Sequence, residues 1–175
     1  MPSLWTPPRL HQNMSHEEER KVTWLELFYD LVYVATLIQL GNVLSDDITV
    51  LGFFKFVILF VPIWWAWTGV TFYSNRFVVD DLSHRGLIFL QISAIAWLAV
   101  SLEGAFGALA AQFALAYAAV RLVLVFMYLR AWRHVPETRA LTQRYLIAHG
   151  LGVVIWVVSA FMPAPVNYGL WLLAL

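Results

Sequence analysis

Two carboxylates lie inside the first long hydrophobic segment of the chain. Glu26 and Asp30 fall within residues 24–33, among leucine, phenylalanine, tyrosine and valine. Their i, i+4 spacing places both on one helical face, which Tyr33 continues. Ionisable side chains at membrane depth are rare and mark a functional site by default. The pattern therefore predicts a site that exchanges protons or binds a cation.

Arg121, in the fourth apolar segment, is the predicted counter-ion of these acids. Its long side chain can extend towards the membrane face on which Asp30 lies. Three alanines at four-residue spacing precede it and would permit close helix contact. His149 enters at a similar depth on the fifth segment. The predicted intramembrane cluster, either a working site or a purely structural ion pair, comprises Glu26, Asp30, Tyr33, Arg121 and His149.

A second concentration of polar residues lies in the loop predicted over residues 75–85. Asp80, Asp81 and His84 are oxygen and imidazole groups that a divalent cation could use. Their spacing matches no established ligand pattern, so we expect a water-facing loop and assign no metal and no cofactor. The residues of this predicted cytoplasmic cluster are Asn75, Arg76, Asp80, Asp81 and Arg85.

The composition predicts the elements that position these residues. The 175-residue chain is 61% hydrophobic and 13% charged, with a mean hydropathy of +0.71, which is typical of a membrane protein. A span needs about 20 apolar residues. We predict an all-α polytopic transmembrane bundle at residues 24–175, after a polar tail at 1–23. The spans are predicted at about 24–44, 51–73, 87–102, 108–130 and 145–162, with an incomplete sixth at 167–175, as in part of a longer protein.

The distribution of basic residues predicts the orientation. Nine of the 11 Lys and Arg residues fall in the tail and in the second and fourth connections, and the exceptions are Lys55 and Arg121. The positive-inside rule then makes the N-terminus cytoplasmic. The absence of cysteine excludes disulfides, and a net charge of zero gives no indication of a nucleic-acid partner.

Tryptophans are concentrated in the second predicted span. Trp64, Trp65 and Trp67 lie deeper than interfacial anchors usually do. We expect them to serve packing and anchoring, with a stacking site for an organic ligand as the alternative. No phosphate loop, nucleophile elbow or HExxH pattern is present, so the sequence leaves open whether the protein is an enzyme.

Three motifs in order resemble the bacterial low temperature requirement A family. The first runs from Trp24 through Asp30 to Leu40, the second covers residues 64–67 and 73–85, and the third is Tyr117–Arg121 followed by Tyr128. The resemblance covers nearly all of the chain beyond the tail. It implies a multi-pass bacterial inner-membrane protein, linked by name to growth in the cold, whose relatives are about twice as long.

Three functions are compatible with these patterns. The first is a proton- or ion-coupled transporter that uses the intramembrane carboxylates. The alternatives are a membrane-embedded lipid-modifying enzyme and a non-catalytic assembly subunit. The expected partners are the lipid bilayer and, as further alternatives, a second half-protein or another copy of the chain.

Overall fold

The computed structural model describes residues 5–10, 24–79 and 81–175, and these form a helical bundle with a short two-stranded ribbon. The elements in chain order are β1 Arg9–Leu10, α1 Trp24–Asp46, α2 Val50–Arg76, β2 Phe77–Val78, α3 Leu82–Val100, α4 Ala110–His134, a 3₁₀ turn Pro136–Thr138, α5 Arg139–Ser159 and α6 Val166–Leu173.

Among the described residues, five helices are long and apolar enough to cross a membrane. They are α1 to α5, in agreement with the predicted all-α bundle of five full spans. The sixth helix, α6, has eight residues, which corresponds to a rise of about 12 Å.

Helix α4 is the centre of the bundle. It is the most buried of the five spans, and its neighbours include α3, α5 and α2. Alanines line its buried face, with Ala114, Ala116 and Ala131 fully enclosed, because small side chains let neighbouring backbones approach closely. Helix α1 packs against α2 and α3, while α6 packs against α5.

Neighbouring helices run in alternate directions, which gathers most of the charge at one end. We call this the basic end: α1, α3 and α5 begin there, and α2 and α4 finish there. Arg76 closes α2, Arg130 and Arg133 lie in the last turns of α4, and Arg139 opens α5.

The predicted helix boundaries were wrong at two starts. Helix α3 begins at Leu82 rather than 87, since Asp81 caps it by accepting a hydrogen bond from the His84 backbone N–H at 2.7 Å. Helix α5 begins at Arg139 rather than 145. Both errors have one cause: the predicted bounds followed the apolar run, whereas the helices extend into a polar turn beyond it. The other boundaries lie within four residues of the prediction.

A two-stranded ribbon covers part of the basic end. Strand β1 pairs antiparallel with β2, with Arg9 opposite Val78 and Leu10 opposite Phe77. Phe77 is buried against Tyr73, their ring centroids 5.0 Å apart. The segment 5–10, predicted only as part of a polar tail, therefore contributes a strand that docks on the bundle.

Candidate functional site

The carboxylate of Asp30 lies between α1 and α2 and is solvent-accessible in the isolated chain. Its Oδ1 accepts a hydrogen bond from the Trp67 indole N–H at 3.0 Å. The buried face of α1 includes Tyr29, Tyr33 and Leu40, and Asp30 lies at the edge of this face. Its carboxylate therefore reaches the groove between the two helices instead of the core.

A polar cavity adjoins Asp30 at the basic end. It has a volume of about 220 Å³ and is formed by α1, the last turns of α2 and the start of α3. The polar side chains in its wall are Glu26, Tyr29, Asp30, Thr71, Ser74 and Asn75. Glu26 and Asp30, predicted to share one helical face, both lie in the wall of this cavity.

An apolar cavity adjoins the other side of Asp30. Its volume is about 290 Å³, and its wall consists of Asp30, Tyr33, Val34, Leu37, Ile63, Trp64 and Trp67. The rings of Trp64 and Trp67 lie 5.3 Å apart. Val34 and Trp64 are about half exposed, so this cavity opens on the outer surface of the bundle between α1 and α2.

Two buried tyrosines lie behind these cavities. Tyr29 and Tyr33, 5% and 3% exposed, have ring centroids 4.8 Å apart, and the Gln91 side chain of α3 lies beside both. The two hydroxyls and the Gln91 amide thus form a small buried polar group in which they can satisfy one another.

Arg121 is not the counter-ion of Asp30, and that prediction was wrong. Its guanidinium is buried, donates a hydrogen bond to the Ala174 carbonyl just after α6, and lies 5.7 Å from the centre of the Tyr117 ring. No ion pair joins it to Asp30 among the residues described. Helix α4 presents Arg121 to Gly152 of α5, whereas Asp30 faces α2.

His149 lies near Arg121 and not near Glu26 or Asp30. It is buried on α5 one turn before Gly152, and its ring stacks on Tyr128 and Tyr145 at centroid distances of 5.8 and 6.1 Å. The predicted five-residue cluster is therefore split. Glu26, Asp30 and Tyr33 line the groove on the α1–α2 side, and Arg121 and His149 lie between α4 and α5.

The described residues of the predicted loop cluster lie mostly in helices. Asn75 and Arg76 are exposed in the last turn of α2, and Arg85 is exposed in the first turn of α3. Asp81 is fully buried, and Asp80 lies outside the described residues. No group of three or more His, Cys, Asp or Glu side chains in the described ranges could hold a metal ion.

Asp81 is the centre of a network that joins three segments. Arg130 of α4 forms a two-pronged ion pair with its carboxylate, and the Thr6 backbone N–H donates to Oδ2 at 2.6 Å. Arg130 also donates to the Thr6 carbonyl and lies 5.7 Å from the centre of the Trp5 ring. Burial opposes ionisation of Asp81, but Arg130 and the backbone N–H donors hold the pKa of this carboxyl below its usual value.

Sequence reasoning missed Trp67 as the partner of Asp30 and Arg130 as the partner of Asp81. Trp67 gave a usable signal, because an indole deep in a span needs a hydrogen-bond acceptor for its N–H. Arg130 gave no such signal in the sequence. Arg133 lies one helical turn later and is also an arginine, but its side chain is exposed, so the residue type alone does not identify the partner of Asp81.

The comparisons with known proteins agree with the motifs. The sequence model of a family described as bacterial low temperature requirement A protein matches residues 21–175. An uncharacterized protein of Rhizobium meliloti (strain 1021) is 29% identical over 160 residues, covering 81% of this chain and 39% of that protein. The chain thus spans about two fifths of the length of this curated relative. No solved structure matches the chain.

Proposed function

Since the chain belongs to the bacterial low temperature requirement A family, we propose that it acts in the membrane as a proton- or cation-coupled carrier. Asp30 is the exchanging group and Glu26 its neighbour on the same face. The observation that carries the proposal is that Asp30 is shared by the walls of the polar and the apolar cavity. Charged groups are retained within spans where a pathway uses them.

The described hydrogen-bond partner of Asp30 is a neutral group. Its carboxylate accepts a hydrogen bond from the Trp67 indole N–H, and both cavities reach this side chain. A cation that enters either cavity would therefore meet a carboxylate that has no cationic side chain beside it among the described residues. Arg121 has no part in this proposal, since it lies between α4, α5 and α6.

Reconstitution into proteoliposomes tests the carrier. Vesicles containing the 175-residue chain and a trapped pH indicator are given imposed gradients of protons, sodium, potassium or organic amines. We expect gradient-driven flux that falls at least about tenfold in Asp30→Asn and is reduced in Glu26→Gln, because these substitutions remove the exchanging charge. Asp46→Asn, on the same helix but at its opposite end, should transport like the wild type.

Two results would contradict the carrier. One is equal flux in the wild type and Asp30→Asn. The other is the absence of flux under every gradient both for this chain and for the longer Rhizobium meliloti relative.

A lipid-modifying enzyme is a second candidate, favoured by the apolar cavity beside Asp30. The wall of this cavity consists mainly of tryptophan, leucine, isoleucine and valine side chains, which suit an acyl chain. Asp30 would then act as the general base. Mass spectrometry of lipids from cold-grown cells that express the wild type or Asp30→Asn tests this. Identical lipid profiles would exclude a role of Asp30 in lipid chemistry.

A further inference from the structure

We infer that the substrate bound at Asp30 is a lipophilic organic amine. Its ammonium group lies against the Asp30 carboxylate, and its hydrophobic body occupies the apolar cavity between α1 and α2. This inference rests on the proposed carrier function and names its substrate class.

The two cavities that meet at Asp30 match the two parts of such a molecule. The wall of the polar cavity contains the side-chain oxygens of Asp30, Thr71 and Ser74, which can accept hydrogen bonds from the N–H groups of an ammonium. The apolar cavity continues from the same carboxylate along Leu37 and Ile63. A ligand charged at one end and apolar over the rest would have complementary surroundings in both.

The aromatic side chains next to Asp30 favour an ammonium over an inorganic ion. Trp64 and Trp67 stand in the same wall as the carboxylate, and tryptophan is the strongest cation–π acceptor for organic cations. Calcium or magnesium would need six or more oxygen ligands in a closed shell. Here an apolar wall occupies one side of Asp30.

Charge complementarity distinguishes between a free amine and an aminophospholipid. A phosphate next to the ammonium would bring its negative charge close to the acidic side chain of Asp30, which disfavours a ligand that carries one. We therefore assign the site to an amine without a phosphate group.

Binding to the purified chain in a neutral maltoside detergent tests the inference. Isothermal titration compares octylammonium with methylammonium, which lacks the apolar body, and with octanol, which lacks the charge. We expect octylammonium to bind at least about tenfold more tightly than either. Asp30→Asn should abolish the preference for octylammonium over octanol, and the matched control Asp46→Asn should retain it.

A second variant tests the apolar half without touching a charge. Val34→Trp fills the mouth of the apolar cavity, so it should weaken octylammonium binding and leave methylammonium binding unchanged. If Asp30→Asn cannot be purified in folded form, Val34→Trp alone still tests whether octylammonium occupies the apolar cavity.

The possible outcomes separate this inference from the carrier. Equal affinities for octylammonium in the wild type, Asp30→Asn and Val34→Trp would overturn the amine site. Displacement of octylammonium by phosphatidylethanolamine, but not by phosphatidylglycerol, would assign the site to a lipid headgroup and overturn the assignment to a free amine. Flux of other cations without amine binding would overturn only the substrate class, and amine binding without any flux would overturn only the carrier.

Discussion

At the scale of single residues, Arg121 shows how a charge can be buried in this bundle with no carboxylate partner among the described residues. The guanidinium is 4% exposed, and its contacts are the Ala174 carbonyl and the face of Tyr117. A buried charge that lacks an ionised partner depends strongly on the neutral groups packed around it. Its position should therefore be sensitive to small changes in packing.

Gly152→Ala tests that sensitivity. A Cβ at Gly152 would lie 2.7 Å from Arg121 Nη1, so the guanidinium would have to move from its enclosed position. Overpacking an interior costs about 1–3 kcal/mol, and alanine recovers about 1 kcal/mol of this through its helix preference. We therefore expect a net loss of up to about 2 kcal/mol in stability. Thermal unfolding in detergent, followed by circular dichroism, measures it.

Gly150→Ala is the matched control on the same helix. No atom lies within 4 Å of a Cβ built there, and alanine favours a helix over glycine by about 1 kcal/mol. This variant should melt at or above the wild-type temperature. Equal melting temperatures for the two variants would contradict the close contact between Gly152 and Arg121.

The sequence identified Asp30 but assigned the wrong partner to it. A charged residue within an apolar run is visible from hydropathy alone, and so is the i, i+4 relation to Glu26. Which helix faces Asp30 depends on the rotation of α1 about its axis. Since apolar residues surround α1 on all sides, no sequence pattern determines that rotation. The deep indole of Trp67 indicated the need for an acceptor, but only the structure shows that this acceptor is Asp30.

At the scale of secondary-structure elements, one ion pair joins the N-terminal segment, the start of α3 and the end of α4. Asp81 and Arg130 are 0% and 10% exposed in their side chains, and both also contact the backbone of Thr6. The same pair caps α3 and positions β1 beside β2. Its loss should therefore affect the whole basic end.

Arg130→Met tests the pair. Removal of one partner leaves the Asp81 carboxylate buried without its counter-ion, which typically costs about 3–5 kcal/mol. We also expect faster tryptic cleavage after Arg9, because the segment 5–10 loses its anchor. Thermal unfolding and a proteolysis time course measure the two effects.

Lys55→Met is the control for this substitution. Lys55 and Asp47 are 3.4 Å apart with each side chain 38% exposed, and exposed pairs contribute about 0–1 kcal/mol. If Arg130→Met costs no more than Lys55→Met and its N-terminal segment is cut at the wild-type rate, the proposed anchoring is wrong.

Stability should depend on pH through Asp81. Because its pKa is lowered in the folded protein, its ionised form stabilises the fold above the ordinary aspartate pKa of about 3.9. This contribution is lost as the pH falls through that value towards the folded-state pKa. Melting temperatures from pH 6 to about pH 3 should fall less steeply for Asp81→Asn than for the wild type or Asp46→Asn. If the melting temperatures of the wild type, Asp81→Asn and Asp46→Asn fall equally steeply with pH, Asp81 does not contribute to the pH dependence of stability.

Helix starts show what sequence patterns leave undetermined at this scale. The apolar runs located all five spans, since about 20 such residues are needed to cross the bilayer. They did not locate the first turns of α3 and α5, which are polar and lie beyond the apolar run. The ribbon between β1 and β2 was also not predicted, because two-residue strands have no periodicity to detect.

At the scale of the whole molecule, the arrangement separates charge between the two ends of the bundle. Arg76, Arg130, Arg133 and Arg139 lie at the basic end, whereas the connection between α3 and α4 carries Glu103 and no basic residue. Five crossings would place the segment before α1 and the residues after α5 on opposite sides of a membrane. The charge distribution then predicts which end faces the cytoplasm.

The positive-inside rule predicts that the basic end faces the cytoplasm. The chain has no cysteine, so a single introduced thiol can be labelled without background. Glu103→Cys lies in the connection between α3 and α4, and Glu137→Cys lies in the turn between α4 and α5, both at exposed positions. In bacterial spheroplasts, a membrane-impermeant maleimide should label the first variant and not the second. After permeabilisation both should react, which shows that each thiol is accessible. Labelling of Glu137→Cys alone in intact spheroplasts would reverse the orientation, and the polar cavity beside Asp30 would then open to the outside instead of the cytoplasm.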